Sequence, residues 1–125
     1  MNENLDTNTR TDLFRMTMEG IESPIWLLVT TNYEDLNESS EPEPETFRMH
    51  RENVTTSVLA ELDHIKETGS YEGCKLIKPY VPIKKNSLVD EAGLIIKISC
   101  YPDPGIINAI TGSFQNHGLK FGKGE

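Results

Sequence analysis

The run Pro24-Ile25-Trp26-Leu27-Leu28-Val29, continued by Thr30 to Tyr33, constrains this chain more than any other segment. It is apolar at odd and even positions alike, so an element with one wet face cannot hold it. Pro24 lacks an N–H and suits the first position of a strand. The β-branched Ile25, Val29, Thr30 and Thr31 favour extended backbone over the competing buried helix. A strand apolar on both faces belongs inside a sheet, covered on both sides. The rest of the chain must supply flanking strands and a covering layer.

At 125 residues the chain is one domain's worth. A domain of this size buries roughly two-thirds of its unfolded surface, enough for a core without metal or disulfide staples. No apolar run approaches the roughly 20 residues of a membrane span, so no membrane contact is expected. The start, MNENLDTNTR, has neither the basic residues nor the apolar stretch of a secretory signal. Net charge is −8, unevenly spread. Residues 1–69 hold 15 acids and 5 bases, a net −10; residues 70–125 hold 5 acids and 7 bases, a net +2. A protein that grips phosphates shows a basic patch. The first half argues against one, and the second is too weakly basic to supply it. DNA beside such a chain is expected only as cargo that does not adhere.

The layout reads as a flexible arm over 1–9, one α+β domain over 10–116 and a Gly/Lys-rich tail over 117–125. Thr9 and Asp12 have the spacing of a helix cap and its partner. Leu13, Met16 and Thr17 then form one stripe, which predicts a helix over 10–19 stopped by Gly20. The strand from Pro24 to Tyr33 follows. Residues 34–45, EDLNESSEPEPE, form an acidic hairpin loop with two prolines and no base. Glu45 to Met49 alternates polar and apolar and reads as a half-buried strand. Ser57 opens a helix on which Val58, Leu59, Leu62 and Ile65 share a face and which Gly69 ends. Tyr71–Ile77 and Tyr80–Ile83 read as short strands, with Pro82 marking an edge. Gly93 releases a strand from Leu94 to Tyr101, whose Leu94, Ile96, Ile98 and Cys100 share one face. Asp103 and Pro104 start a last helix with stripe Ile106, Ile107 and Ile110, ended by Gly112.

Catalytic patterns are missing: there is no GxGxxG, GxxxxGK[ST], HExxH or GxSxG. His50, His64 and His117 are the only imidazoles, and their spacing does not bring them together. The acids of 34–45 sit in a Pro-broken loop without walls to separate two pKa values. Cys74 and Cys100 form no CxxC and read as small buried apolar residues. The sequons at Asn37 and Asn53 read as chance, and the scattered aromatics as core. No catalytic, cofactor or metal site is expected, and no cofactor.

Three blocks, in order, carry a resemblance. The first is Leu13 to Val29, read as an amphipathic helix running into an apolar strand before a polar hairpin. The second is Tyr71-Glu-Gly-Cys-Lys-Leu-Ile with Pro79 and Pro82. The third is Gly93-Leu-Ile-Ile-Lys-Ile-Ser99 and, after a turn, Ile106-Ile-Asn-Ala-Ile110. Together they resemble small proteins encoded among the tail genes of long-tailed (siphovirus) bacteriophages. They are also similar to the N-terminal domain of the lambda-type minor tail protein L. Tyr71, Leu76, Pro79, Ile96, Ile98, Ser99, Ile107, Ala109 and Ile110 stand at matching places. Cys100 replaces an asparagine of the family pattern, and residues 50–69 read as helical where the family has a hairpin or loop.

The resemblance implies a structural protein of the virion tail tip, built as a small mainly antiparallel β-barrel or sandwich with two or three helices. It implies assembly in the host cytoplasm into a three- or six-fold ring of copies, between the tail tube and the host-recognition hub. Its partners there are copies of itself and the distal tail and hub proteins. The interface residues expected on this reading are Leu36, Glu38, Phe47, Leu119 and Phe121. The alternative is a small phage-encoded module that binds or inhibits a host protein through its acidic loop.

Overall fold

The computed structural model describes residues 9–32, 42–83 and 89–122. The apolar run forms β2 (Ile21–Asn32), and the segment before it forms β1 (Thr9–Met18). The two pair antiparallel from Thr9↔Asn32 to Met18↔Ile21, with a register shift between Met16 and Met18. Gly20 takes a positive φ of 96°, a conformation open to glycine, at the hairpin turn. The helix expected over 10–19 is therefore a strand, and Gly20 turns a hairpin instead of ending a helix. The physical reason is alternation. Phe14, Met16 and Met18 point toward the core, while Thr11, Leu13 and Thr17 are exposed. Helical spacing over these few residues fitted equally well, and pairing with β2 decided between the periods.

Helix α1 (Glu45–Thr68) starts behind Pro44 and runs for 24 residues. The strand expected over 45–49 is its first turn. Five alternating residues are a weak signal beside the ion pairs that Arg48 makes with Glu45 and Glu52, three and four positions away on one helical face. Val58, Leu62 and Ile65 are buried as expected. Gly69, at φ 75°, donates its N–H to Ile65 O at 2.7 Å and ends the helix.

Beyond Gly69 the chain turns at Tyr71–Cys74 and enters the short edge strand β3 (Ile77–Tyr80). The longer strands expected at 71–77 and 80–83 reduce to these four residues. Glu61, on α1, explains why. Its carboxylate accepts hydrogen bonds from the backbone N–H groups of Lys75, Leu76 and Ile77 at 2.9–3.3 Å, occupying donors that a ladder would use.

β4 (Gly93–Cys100) lies parallel to β2 from Ile25↔Leu94 to Thr31↔Cys100, and antiparallel to β3. At Gly93 a Cβ atom would stand 2.3 Å from the Pro24 carbonyl oxygen, so glycine permits this close approach. Helix α2 (Ile106–Asn116) runs through Gly112 and stops instead at Gly118, whose φ is 107°. There Leu119 N–H reaches Phe114 O at 3.1 Å and Gly118 N–H reaches Gln115 O at 3.0 Å, a Schellman stop. Phe114 and Leu119 close it with a buried contact in the core. Within the expected tail, β5 (Lys120–Gly122) pairs antiparallel with Arg15–Thr17 of β1.

The protein is thus α+β, and the described residues form two helices and one five-stranded sheet in the order β3-β4-β2-β1-β5. Three of its four pairings are antiparallel, and the sheet is open rather than closed into a barrel. Both helices pack on one face. Val58, Leu62 and Ile65 of α1 and Ile106, Ile110 and Phe114 of α2 share a core with Met16, Ile25, Leu27, Val29, Ile96 and Ile98. No helix is long and apolar enough to cross a membrane, among the described residues.

The opposite face carries no described helix. Trp26 and Ile95, neighbours across β2 and β4, are nevertheless buried there. Residues 89–91 return to this face beside Trp26 and Tyr80. Tyr80 Oη and the Val89 backbone exchange two hydrogen bonds of 2.9 and 3.1 Å. Trp26 Nε1 donates to Glu91 O at 3.2 Å. Arg15 forks onto the Glu91 carboxylate at 3.0–3.1 Å and lies 5.8 Å from the centre of the Trp26 ring. The guanidinium holds the Glu91 carboxyl below its usual carboxylate range through these hydrogen bonds.

Candidate functional site

Because β2 and β4 run parallel, their carboxyl ends reach the same edge of the sheet, and α1 begins there as the crossover between them. Open sheets with parallel strands form crevices at such ends. A cleft of about 650 Å³ lies here, between Asn32 of β2, Ser99 and Cys100 of β4, Tyr101 and the first turns of α1. Its volume is in the range of small-molecule and peptide side-chain sites.

One wall is an ion pair. Arg51 reaches both carboxylate oxygens of Glu43 at 3.0–3.3 Å, and the two side chains are only 11% and 8% exposed. The pair fixes the chain before α1 against the helix, and Thr55 reinforces the turn by donating to Arg51 O at 2.8 Å. Phe47 forms the rim. It stands edge-to-face with Tyr101, ring centres 5.1 Å apart, and remains 51% exposed. Cys100, which lines the cleft, lies 3.4 Å from Thr31, thiol to hydroxyl. Burial pushes the Cys100 thiol above its usual pKa, which keeps it protonated and a poor nucleophile. Burial raises Cys74 as well. Both cysteines are free, half-buried and packed against the core. His50 also lines the cleft but has no partner among the described residues to orient it. The arrangement is suited to holding a side chain or small molecule.

The second feature is an edge. β5 covers β1 only over Arg15–Thr17. Among the described residues, no strand pairs with the outer side of Thr9–Phe14. Along it Arg10 and Asp12 sit two apart on one side of the strand, with Arg10 Nε 3.0 Å from Asp12 Oδ2. That oxygen is buried and receives no well-aligned hydrogen bond, so its partner is a charge only. The opposite sheet edge, β3, is protected by Pro79, which has no N–H to offer, and by Lys78.

Of the residues expected at interfaces, Phe47 stands exposed at the cleft. Leu119 is buried in the chain's own core, and Phe121 is half-buried against Phe14, ring centres 5.7 Å apart. Leu36 and Glu38 lie outside the described residues. Two acids of the acidic segment, Glu43 and Glu45, are engaged by Arg51 and Arg48 within the chain. His117 binds Asp63 at 3.1 Å and ties α2 to α1. Among the described residues no group of three His, Cys, Asp or Glu is placed to hold a metal. Sequence reasoning did not join Arg51, His50 and Tyr101, because only the parallel crossover brings them together. It passed over the β1 edge because it read that segment as a helix.

Compared with known protein families, curated proteins and solved structures, the chain matches none.

Proposed function

We propose that this protein is a structural assembly subunit that works by joining other protein chains and transforms no molecule. The observation that carries the reading is the edge of β1 over Thr9–Phe14, along which no strand pairs among the described residues. An unpaired edge presents a row of backbone donors and acceptors that another extended chain satisfies. The setting we propose is the tail tip of a long-tailed bacteriophage, as a minor component among copies of itself and hub proteins. Support for this setting comes from the second and third sequence blocks, which lie around β3 and on β4 and α2. The first block departs from the family pattern, since its expected helix is β1. Mass spectrometry of purified phage particles tests the setting. Peptides of this chain at a few copies per particle are expected, and their absence from assembled tails overturns it.

A second reading, a module that grips a host protein, is favoured by the half-exposed Phe47 and Tyr101 at the cleft. Aromatic side chains at a cleft mouth are common binding anchors. Substituting Phe47→Ala separates the two readings: it abolishes host-protein binding on the second and leaves strand-mediated assembly unchanged on the first.

A further inference from the structure

We propose that the backbone N–H groups of Lys75, Leu76 and Ile77 form a nest for an oxyanion, and that Glu61 of α1 fills it as a built-in ligand. The ligand class is a group that presents two neighbouring charged oxygens, a carboxylate or a phosphate. The site uses neither the cleft nor the edge of β1, and it stands or falls apart from the assembly reading.

The donors converge. Between the turn at Tyr71–Cys74 and β3, three successive N–H groups point at one carboxylate. Lys75 N–H reaches Glu61 Oε2 at 2.9 Å, and Ile77 N–H reaches Oε1 at 3.1 Å. Leu76 N–H is shared between the two oxygens, at 3.1 and 3.3 Å. Both oxygens are thus engaged by backbone groups, which have no preference for glutamate as such. Concave rows of successive N–H groups bind anions. They read negative charge on two adjacent oxygens, and hydrogen bonds to such charged acceptors are the strong ones. A halide offers one point of contact and fits less well.

The surroundings suit an anion in contact with solvent. The hydrogen bonds at Lys75 and Leu76 are exposed, and Glu61 is half-buried. Lys75 and Lys78 bracket the nest and are both exposed. Glu72 is the one acid between Ser70 and Pro79, so this stretch is net positive. The occupant comes from another element, 14 to 16 positions earlier in the sequence. It can leave by side-chain rotation without breaking the pairing of β3 with β4. Glu61 is therefore an internal competitor. Its tether gives it a local concentration far above that of a free ion, which keeps the site closed to small oxyanions until it is displaced.

Removing the side chain in the full-length protein tests this. In Glu61→Ala the amide NMR signals of residues 75–77 are followed as sodium phosphate or sodium acetate is added, with sodium chloride at matched ionic strength as the reference. A saturable shift confined to these amides, with a midpoint in the millimolar range, is expected for at least one oxyanion and not for chloride. Hydrogen exchange at the same amides is expected to slow several-fold at saturation, and the melting temperature to rise with oxyanion concentration. The wild-type protein is expected to show none of these responses. A response to acetate alone assigns the site to carboxylates, and a response to phosphate alone assigns it to phosphate groups. Glu61→Gln keeps the side-chain volume but offers the donors one oxygen. It is expected to respond in the same way, more weakly, and carries the test by the same criteria if the alanine variant does not fold.

A folded variant whose amides 75–77 respond to neither oxyanion, or respond alike to chloride, overturns the inference. So does a wild-type protein that responds as strongly as the variant, because Glu61 would then not be filling the site.

Discussion

On the helix-covered face of the sheet, Ile25, Leu27, Val29 and Ile96 disappear under α1 and α2 and are held by apolar area alone. On the other face Trp26 is equally hidden, yet its cover is a loop fastened by an indole hydrogen bond, an Arg15 fork and a Tyr80 clasp. The first arrangement draws on burial, roughly 25 cal/mol per Å² of apolar surface, and has no directional demand. The second depends on a few aligned polar groups near solvent, each with a small net contribution. The helix-covered side is therefore the stable body of the protein. The loop side can open without unfolding the rest.

The deepest break is expected on the helix side. Phe114→Ala removes a fully buried ring that also closes the end of α2. A loss of about 3–5 kcal/mol is expected in urea unfolding. Glu61→Ala frees three backbone donors on the approach to β3 and is expected to cost about 1.5–3 kcal/mol. Amide hydrogen exchange should show its loss of protection confined to residues 75–77. Gly93→Ala drives a Cβ into the Pro24 carbonyl at the start of the parallel pairing. About 1–3 kcal/mol is expected, read as a lower melting temperature. An unchanged melting temperature would show that β2 and β4 can move apart at that end.

The smallest effect belongs to the loop face and is a pH effect. Arg15 lowers the Glu91 pKa, so the fork is complete above the ordinary carboxylate range and is lost as pH falls through the lowered value. Trp26 is the chain's one tryptophan and reports it directly. Acidification should red-shift its emission before far-UV circular dichroism changes. Glu91→Gln should remove that early step. If both signals move together, the two faces unfold as one unit and the contrast between them fails.

Legibility followed the strength of local pattern. β2, β4 and the second half of α1 were readable because long apolar runs or a full helical face admit one period. Residues 10–19 were not. Thr9, Asp12, Leu13 and Met16 satisfy helical spacing, while Asp12, Phe14, Met16 and Met18 satisfy strand spacing. The start of α1 was hidden by the same brevity, and the last strand by its three residues. The cleft was illegible for a different reason. Glu43, Arg51, Cys100 and Tyr101 are up to 58 positions apart in the sequence, and no spacing rule joins them.

By itself the sequence determined an α+β chain organised around a doubly apolar strand, with a helix ending at Gly69 and another following Pro104. Those features follow from side-chain periodicity and from the backbone limits of glycine and proline, which act locally. Only the tertiary structure decided that β1 is a strand, that β2 and β4 run parallel, that the sheet stays open and that Arg15, Trp26 and Glu91 meet. Each of these depends on which segments come together in space, and contact energy between distant residues overrides a weak local preference.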